Sequence, residues 1–301
     1  MNQEFLTAAA AELDRSGFLP CPGESCADFF QRFQLSEAAF SVFEAEMREK
    51  QETAVFDEIR VRAVDRIPPE IIAEAAGKTR ELYGFENRRV PGFFLSGKVG
   101  ALWGGCMIGD PDNGFAMMLL RSCFRQKQKW SFYNRAELLA HELCHAMRQS
   151  LGESRLEEYF AYQTGKSFLR RNFGNCFIRE RDAVLFILPA FILLAATILR
   201  ETTGLQFPLW PFWVFVAVYP LFLLIRNFSS MRIVRKAEKN LRRFGVDAPE
   251  PILFRSTFEE LETLGSLKDR EEFEKFRQER SQCELRWAII NSRFFDKYNE
   301  Q

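Results

Sequence analysis

The sequence predicts an α+β fold, mostly helical with a small antiparallel sheet, a two-helix transmembrane hairpin and a helical C-terminal region. Three observations predict it. Apolar residues recur at helical spacing near both ends of the chain, glycines punctuate short apolar runs between residues 84 and 114, and two long uncharged runs follow residue 182.

The chain opens on an amphipathic stretch with a stop at Gly17. Met1 to Pro20 has no basic start and no apolar core of signal-peptide length, so the N-terminus is expected in the cytosol. Phe29, Phe33, Phe40 and Phe43 share or nearly share one helix face, and Pro68-Pro69 open a further helix up to Leu82. The texture then changes. Asp110-Pro111-Asp112-Asn113-Gly114 is a turn signal between the apolar runs Ala101–Ile108 and Phe115–Arg121, which are expected to pair antiparallel.

Residues 183–199 contain no charge, Asn or Gln, and residues 205–225 carry Gln206 as their one strongly polar side chain. Each has the length of a short or tilted membrane span, with residues 200–204 as the link. A pair of buried core helices is the alternative. Arg170, Arg171, Arg179 and Arg181 precede the hairpin and a basic run from Arg226 to Arg243 follows it, while the link holds only Arg200. The excess of positive charge places both flanking blocks in the cytoplasm. The chain thus divides into a cytosolic domain at 1–178, a hairpin at 179–228 and a helical cytosolic region at 229–301. In the last block Val234, Ala237, Leu241 and Phe244 form a stripe that would lie along the inner leaflet or pack on the protein's own domain.

Forty-one basic residues balance 41 acidic ones. That excludes polyanion binding as a role of the whole chain, and no nucleic-acid partner is expected. The seven cysteines are odd in number and scattered, which fits reduced thiols.

The chemistry concentrates at one place. The chain's two histidines, His141 and His145, stand four apart with Glu142 between them. Residues at this spacing share a helix face, so two imidazoles converge on one ion while Glu142 reaches a water without being a ligand. Asn134 with Glu137 three residues on has capping-box spacing, and Gly152 is the stop. A catalytic zinc site needs a third ligand, and Glu157 and Glu158 compete for it. Ser154 and Glu157 also have capping-box spacing, which assigns Glu157 to a helix start and Glu158 to the metal.

The HELCH string at residues 141–145 and the Glu158-Tyr159-Phe160-Ala161 stretch resemble the HExxH and E-x-x-A motifs of gluzincins. The two spans resemble those of membrane peptidases related to the CAAX prenyl endopeptidase. The resemblance covers about residues 90–170 and implies a zincin-like domain with Zn2+ on His141, His145 and Glu158. It further implies a zinc-activated water, Glu142 as general base and a peptide or protein substrate, membrane-associated or not. Where those relatives usually carry Asp after the alanine, this chain has Tyr162. The Phe115–Arg121 strand is the expected substrate edge, with Tyr159, Tyr162 and Arg121 as possible oxyanion helpers. The competing function is a membrane-tethered binding or scaffold protein on the same fold that does not cleave.

Overall fold

The computed structural model describes residues 3–55, 59–95, 103–110, 115–178 and 180–295. Helices α1 (Gln3–Arg15) and α2 (Cys26–Lys50) lead into a hairpin of β1 (Glu52–Val55) and β2 (Ile59–Arg62), and α3 (Pro69–Tyr83) follows. Gly17 and Gly84 take left-handed φ values of 88° and 69°, a conformation glycine adopts without a Cβ penalty. Gly84 thereby closes α3, with its N–H on the Arg80 carbonyl.

Strands β3 (Gly92–Leu95), β4 (Gly105–Gly109) and β5 (Ala116–Arg121) form a sheet in the order β3-β5-β4. β4 and β5 are antiparallel, as their flanking residues predict, with Met107 opposite Met118. Residues 111–114 of the turn, and 101–102 of the run before it, lie outside the described residues. The sheet is mixed rather than purely antiparallel, because β3 joins β5 in parallel. β5 is therefore central and buried on both faces. Met117 and Leu119 pack with Phe43 of α2 and Phe93, and Met118 and Leu120 enter the main core.

A short pair, β6 (Lys129–Trp130) and β7 (Tyr133–Asn134), delivers the chain to α4 (Arg135–Arg148). The Asn134 side chain caps α4 by accepting from the Glu137 N–H at 3.1 Å, a contact that stabilises such helices by about 1 kcal/mol. α4 is buried nearly all round, packed by α3, β4 and α5 (Glu157–Tyr162). Its apolar residues Leu139, Ala140, Leu143 and Cys144 are fully enclosed. One 3-10 turn then runs to Gly152, whose φ of 64° ends the element.

Helix α6 (Phe168–Phe173) precedes two long helices, α7 (Glu180–Thr203) and α8 (Trp210–Arg243). Both are long and apolar enough to cross a membrane, and only 11% of each apolar window is buried inside the protein. Large side chains such as Phe191, Trp210, Trp213 and Phe215 are more than 60% exposed, so the apolar parts of these helices are not buried in the protein's own core. Residues 205–209, read above as the start of the second span, lie outside the helix, which begins at Trp210. At the foot of the hairpin Asp182 of α7 pairs with Arg226 of α8 at 2.6 Å and accepts from the Tyr219 hydroxyl at 2.9 Å.

α8 continues without a break into the globular part. Its stripe of Val234, Ala237 and Leu241 is buried against α10 (Phe258–Ser266), so the stripe packs on the protein rather than along a leaflet. α9 (Glu250–Arg255), α11 (Arg270–Cys283) and α12 (Leu285–Phe294) complete the chain. These helices share one core with the N-terminal block. Phe254 stacks on Tyr83 at 4.1 Å between ring centroids, and the fully buried pair Asp14–Arg255 joins α1 to α9 at 2.9 Å. Phe254→Ala would remove a fully buried ring at this junction, a change that costs about 3–5 kcal/mol.

Candidate metal centre

The helical spacing of His141 and His145 brings their Nε2 atoms to 3.1 Å. α5 crosses α4 and supplies Glu158, whose oxygens lie 3.5 Å from His141 Nε2 and 3.4 Å from His145 Nε2. One donor atom from each of the three residues falls within 4.8 Å of the others. Four-coordinate zinc with bonds of about 2.0–2.2 Å needs donors about 3.3 Å apart, so the two histidines and Glu158 have the separations and the N,N,O chemistry the ion requires. The side chains of His141, His145 and Glu158 are 9%, 17% and 26% exposed, so solvent reaches the cluster chiefly on the Glu158 side.

Glu158 arrives by a different route from the one its sequence predicts. Ser154 caps nothing. α5 begins at Glu157, and the residue in the cap position is Leu156, which offers no side-chain hydrogen bond and is fully buried. Burial of Leu156 fixes the start of the helix, and residues 157 and 158 then diverge by about 100°. Glu157 is not a capping residue. Its carboxylate lies between His145 Nδ1 at 3.4 Å and Arg148 Nε at 3.0 Å. Arg148 is fully buried over the Phe160 ring and donates to the Phe254 carbonyl of α9. Arg148 and Glu157 thus tie the histidine to the C-terminal helices, a role no local pattern reveals.

The protons of the cluster divide unequally. Burial, with the charge of His145 beside it, holds His141 well below the usual histidine range. Burial also opposes protonation of His145, but hydrogen bonds from its ring to Glu157 and Glu158 outweigh it and push that group to about 10. Glu142 lies outside the donor set and is 5% exposed. Burial raises its carboxyl to about 7, with His145 and the Met107 backbone of β4 favouring the charged form.

Around this centre Tyr162 sets its ring edge-on to His141 at 4.5 Å between centroids. No side-chain acceptor meets His141 Nδ1, in the place where the resemblance above leads one to expect an aspartate, and the contact that favours the charged ring there is with the Ala161 backbone. Tyr162 therefore packs against the ligand but does not replace that acceptor. Arg170 lies over the rings of Tyr133 and Tyr162, 4.0 Å from Glu137, and its charge reaches His141 and Glu142. In the sequence it reads only as one of the basic residues flanking the hairpin.

No family model, no curated protein and no solved structure matches the chain. The centre must be understood from its own geometry.

Two expected helpers do not reach it. Tyr159 lines a separate cavity with Met231 and Arg235 of α8. Arg121 donates to the Trp103 carbonyl and stacks on Trp130. β5, the expected substrate edge, is flanked on both sides by β3 and β4. β3 and β4 are the two edges of this sheet, and β4 is the one whose backbone touches Glu142.

Proposed function

We propose that the chain is a membrane-anchored zinc endopeptidase, with both large blocks on the cytoplasmic side of the hairpin. The observation that carries this reading is the convergence of His141, His145 and Glu158 beside a buried carboxylate that is not part of the donor set. Zn2+ held by these three residues would supply a Lewis acid and an activated water at the open side of the cluster.

The chain's own residues provide the rest. Glu142, raised to about 7 in the metal-free protein, is suited to take a proton from the attacking water and return it to the leaving amine. A bound cation draws that value down and favours the basic form. Glu157 orients His145 through Nδ1 and leaves Nε2 for the metal. β4 is the strand on which an extended peptide would add, its backbone already in contact with Glu142. Arg170, whose positive charge acts on His141 and Glu142, would help to stabilise negative charge developing on a carbonyl oxygen at the centre.

The test uses the full chain purified in a mild detergent, with zinc counted and cleavage of an unfolded model protein followed. Wild type and Glu142→Gln should each carry one zinc, and only wild type should cleave. Zinc in wild type without any turnover would favour the scaffold reading. Equal zinc in wild type, His141→Ala and His145→Ala would remove the metal centre altogether.

A further inference from the structure

A second cavity, of about 580 Å³, lies between α5, α6 and α8, away from the metal centre. Its floor is apolar, with Leu82, Phe160, Met231, Val234 and Leu253. Its rim carries Lys166, Arg171 and Arg235, and among the described residues none of the three has a carboxylate within 4.0 Å. Two of them are set in place by neutral partners. Arg171 Nε donates to Gln163 at 3.1 Å, and Arg235 donates to Asn172 Oδ1 at 3.2 Å. The two carboxylates on the rim, Glu238 and Glu250, are both engaged by Arg242. The three cations of the lining therefore face two carboxylates already engaged elsewhere, and the guanidiniums are held ready for an anion the protein itself does not provide.

The place of the cavity narrows the choice of anion. Arg226 and Asp182 close the apolar part of the hairpin. Met231 follows Arg226 by five residues, about 8 Å along α8. The headgroup layer on one side of a bilayer is about 5–8 Å thick, so the Met231 end of the cavity meets its outer edge, with Arg235, nine residues past Arg226 and about 14 Å along α8, on the cytoplasmic side of it. Phe168 and Leu169 on α6 stand beside the mouth, 72% and 66% exposed, and give an acyl chain apolar surface outside the cavity.

We infer that this cavity binds the phosphate headgroup of an anionic phospholipid of the inner leaflet, with Lys166, Arg171 and Arg235 as its cationic clamp. The inference rests on the hairpin's seat in a bilayer, a part of the proposed function, and is independent of the metal chemistry. A loss of lipid binding leaves zinc and turnover to be judged separately.

The experiment takes the full chain in neutral detergent with equal amounts of dioleoyl phosphatidylglycerol and dioleoyl phosphatidylcholine, and counts retained lipid by native mass spectrometry. One phosphatidylglycerol should be retained per chain in preference to phosphatidylcholine. The triple variant Lys166→Gln, Arg171→Gln, Arg235→Gln should lower that occupancy at least about tenfold, as expected when several charge-assisted contacts to phosphate are lost. Arg232→Gln, exposed on the same helix and outside the cavity, should leave it unchanged. Should the triple variant unfold, single Arg171→Gln carries the comparison, since Arg171 is exposed and its removal spares the core. Equal phosphatidylglycerol retention in wild type and the clamp variants, or equal retention of both lipids, overturns the site. Displacement of the lipid by an equal concentration of inorganic phosphate overturns the lipid assignment in favour of a soluble anion.

Discussion

Glu157 Oε2 lies 3.4 Å from His145 Nδ1, on the opposite side of the ring from the nitrogen that faces Glu158. One glutamate thus contacts Nδ1 of the imidazole while its neighbour in sequence lies on the side of Nε2 and the donor cluster. Carboxylates in this position fix the tautomer of a ligating histidine and raise its basicity, and their loss typically weakens metal binding about 10–100-fold. Glu157→Gln should show a drop of that size, measured by competition with a zinc chelator, and Glu158→Gln a larger one. Glu157→Ala should in addition lower stability by about 1–3 kcal/mol, because it removes a hydrogen-bonded carboxylate from fully buried Arg148 and leaves it Glu153 at 3.8 Å. An unchanged zinc affinity in Glu157→Gln would show that the contact has no part in holding the metal.

Zinc affinity should depend on pH in a direction the cluster sets. In the metal-free protein His145 holds a proton up to about pH 10, whereas His141 is neutral near pH 7 because burial depresses it. Binding must therefore displace the His145 proton. One proton released per ion makes the affinity rise about tenfold for each pH unit between about pH 8 and 9.5, where Glu142 is already deprotonated and His145 is not. Isothermal titration in buffers of different ionisation heat counts the proton directly. A flat affinity over that interval would mean His145 is already deprotonated.

Arg170→Gln tests whether its guanidinium serves the reaction or only the packing. Loss of one donor to a developing oxyanion costs about 10²–10³ in turnover. The variant should keep its zinc and lose turnover mainly in kcat, with Arg170→Lys recovering part of it. A change confined to the melting temperature would assign Arg170 to the contacts with Glu137, Tyr133 and Tyr162.

The local features of the centre were legible in the sequence, and the features made by tertiary packing were not. The Asn134 cap, the shared face of His141 and His145 and the stop at Gly152 each depend on residues a few positions apart. Glu158 was selected by way of a cap at Ser154 that does not exist. Burial of Leu156, which no short-range pattern discloses, starts the helix instead. The parallel pairing of β3 with β5 joins segments more than 20 residues apart, and it is this pairing that closes β5 as an edge. The apolar stripe of α8 has the same periodicity whether it faces lipid or α10, so only the folded chain distinguishes the two.

The orientation of the hairpin can be read with the chain's own thiols. All seven cysteines are unpaired and lie outside the two membrane-length helices, and Cys283 of α11 is exposed. In intact cells a membrane-impermeant maleimide should label none of them, and permeabilisation should expose Cys283. Thr202→Cys, at the exposed link between the helices, should add a label in intact cells. Labelling of Cys283 before permeabilisation would reverse the orientation.

α8 runs unbroken from Trp210 to Arg243, and beyond Pro220 it contains no further proline. Residues 226–243 form a rod about 27 Å long embedded in the globular part, and the same helix continues upward into the apolar hairpin. A protein joined to its anchor by a flexible tether can sweep a volume above the bilayer. A protein built around its anchor cannot. With the apolar end of α8 in a membrane, the cluster of His141, His145 and Glu158 would stand at a fixed height and tilt over the lipid surface. Selection would then act as a ruler does. The bonds presented for cleavage would be those at one distance from the membrane along an extended stretch of a neighbouring protein, and changing the number of residues between the bilayer and that stretch would matter more than changing their identity.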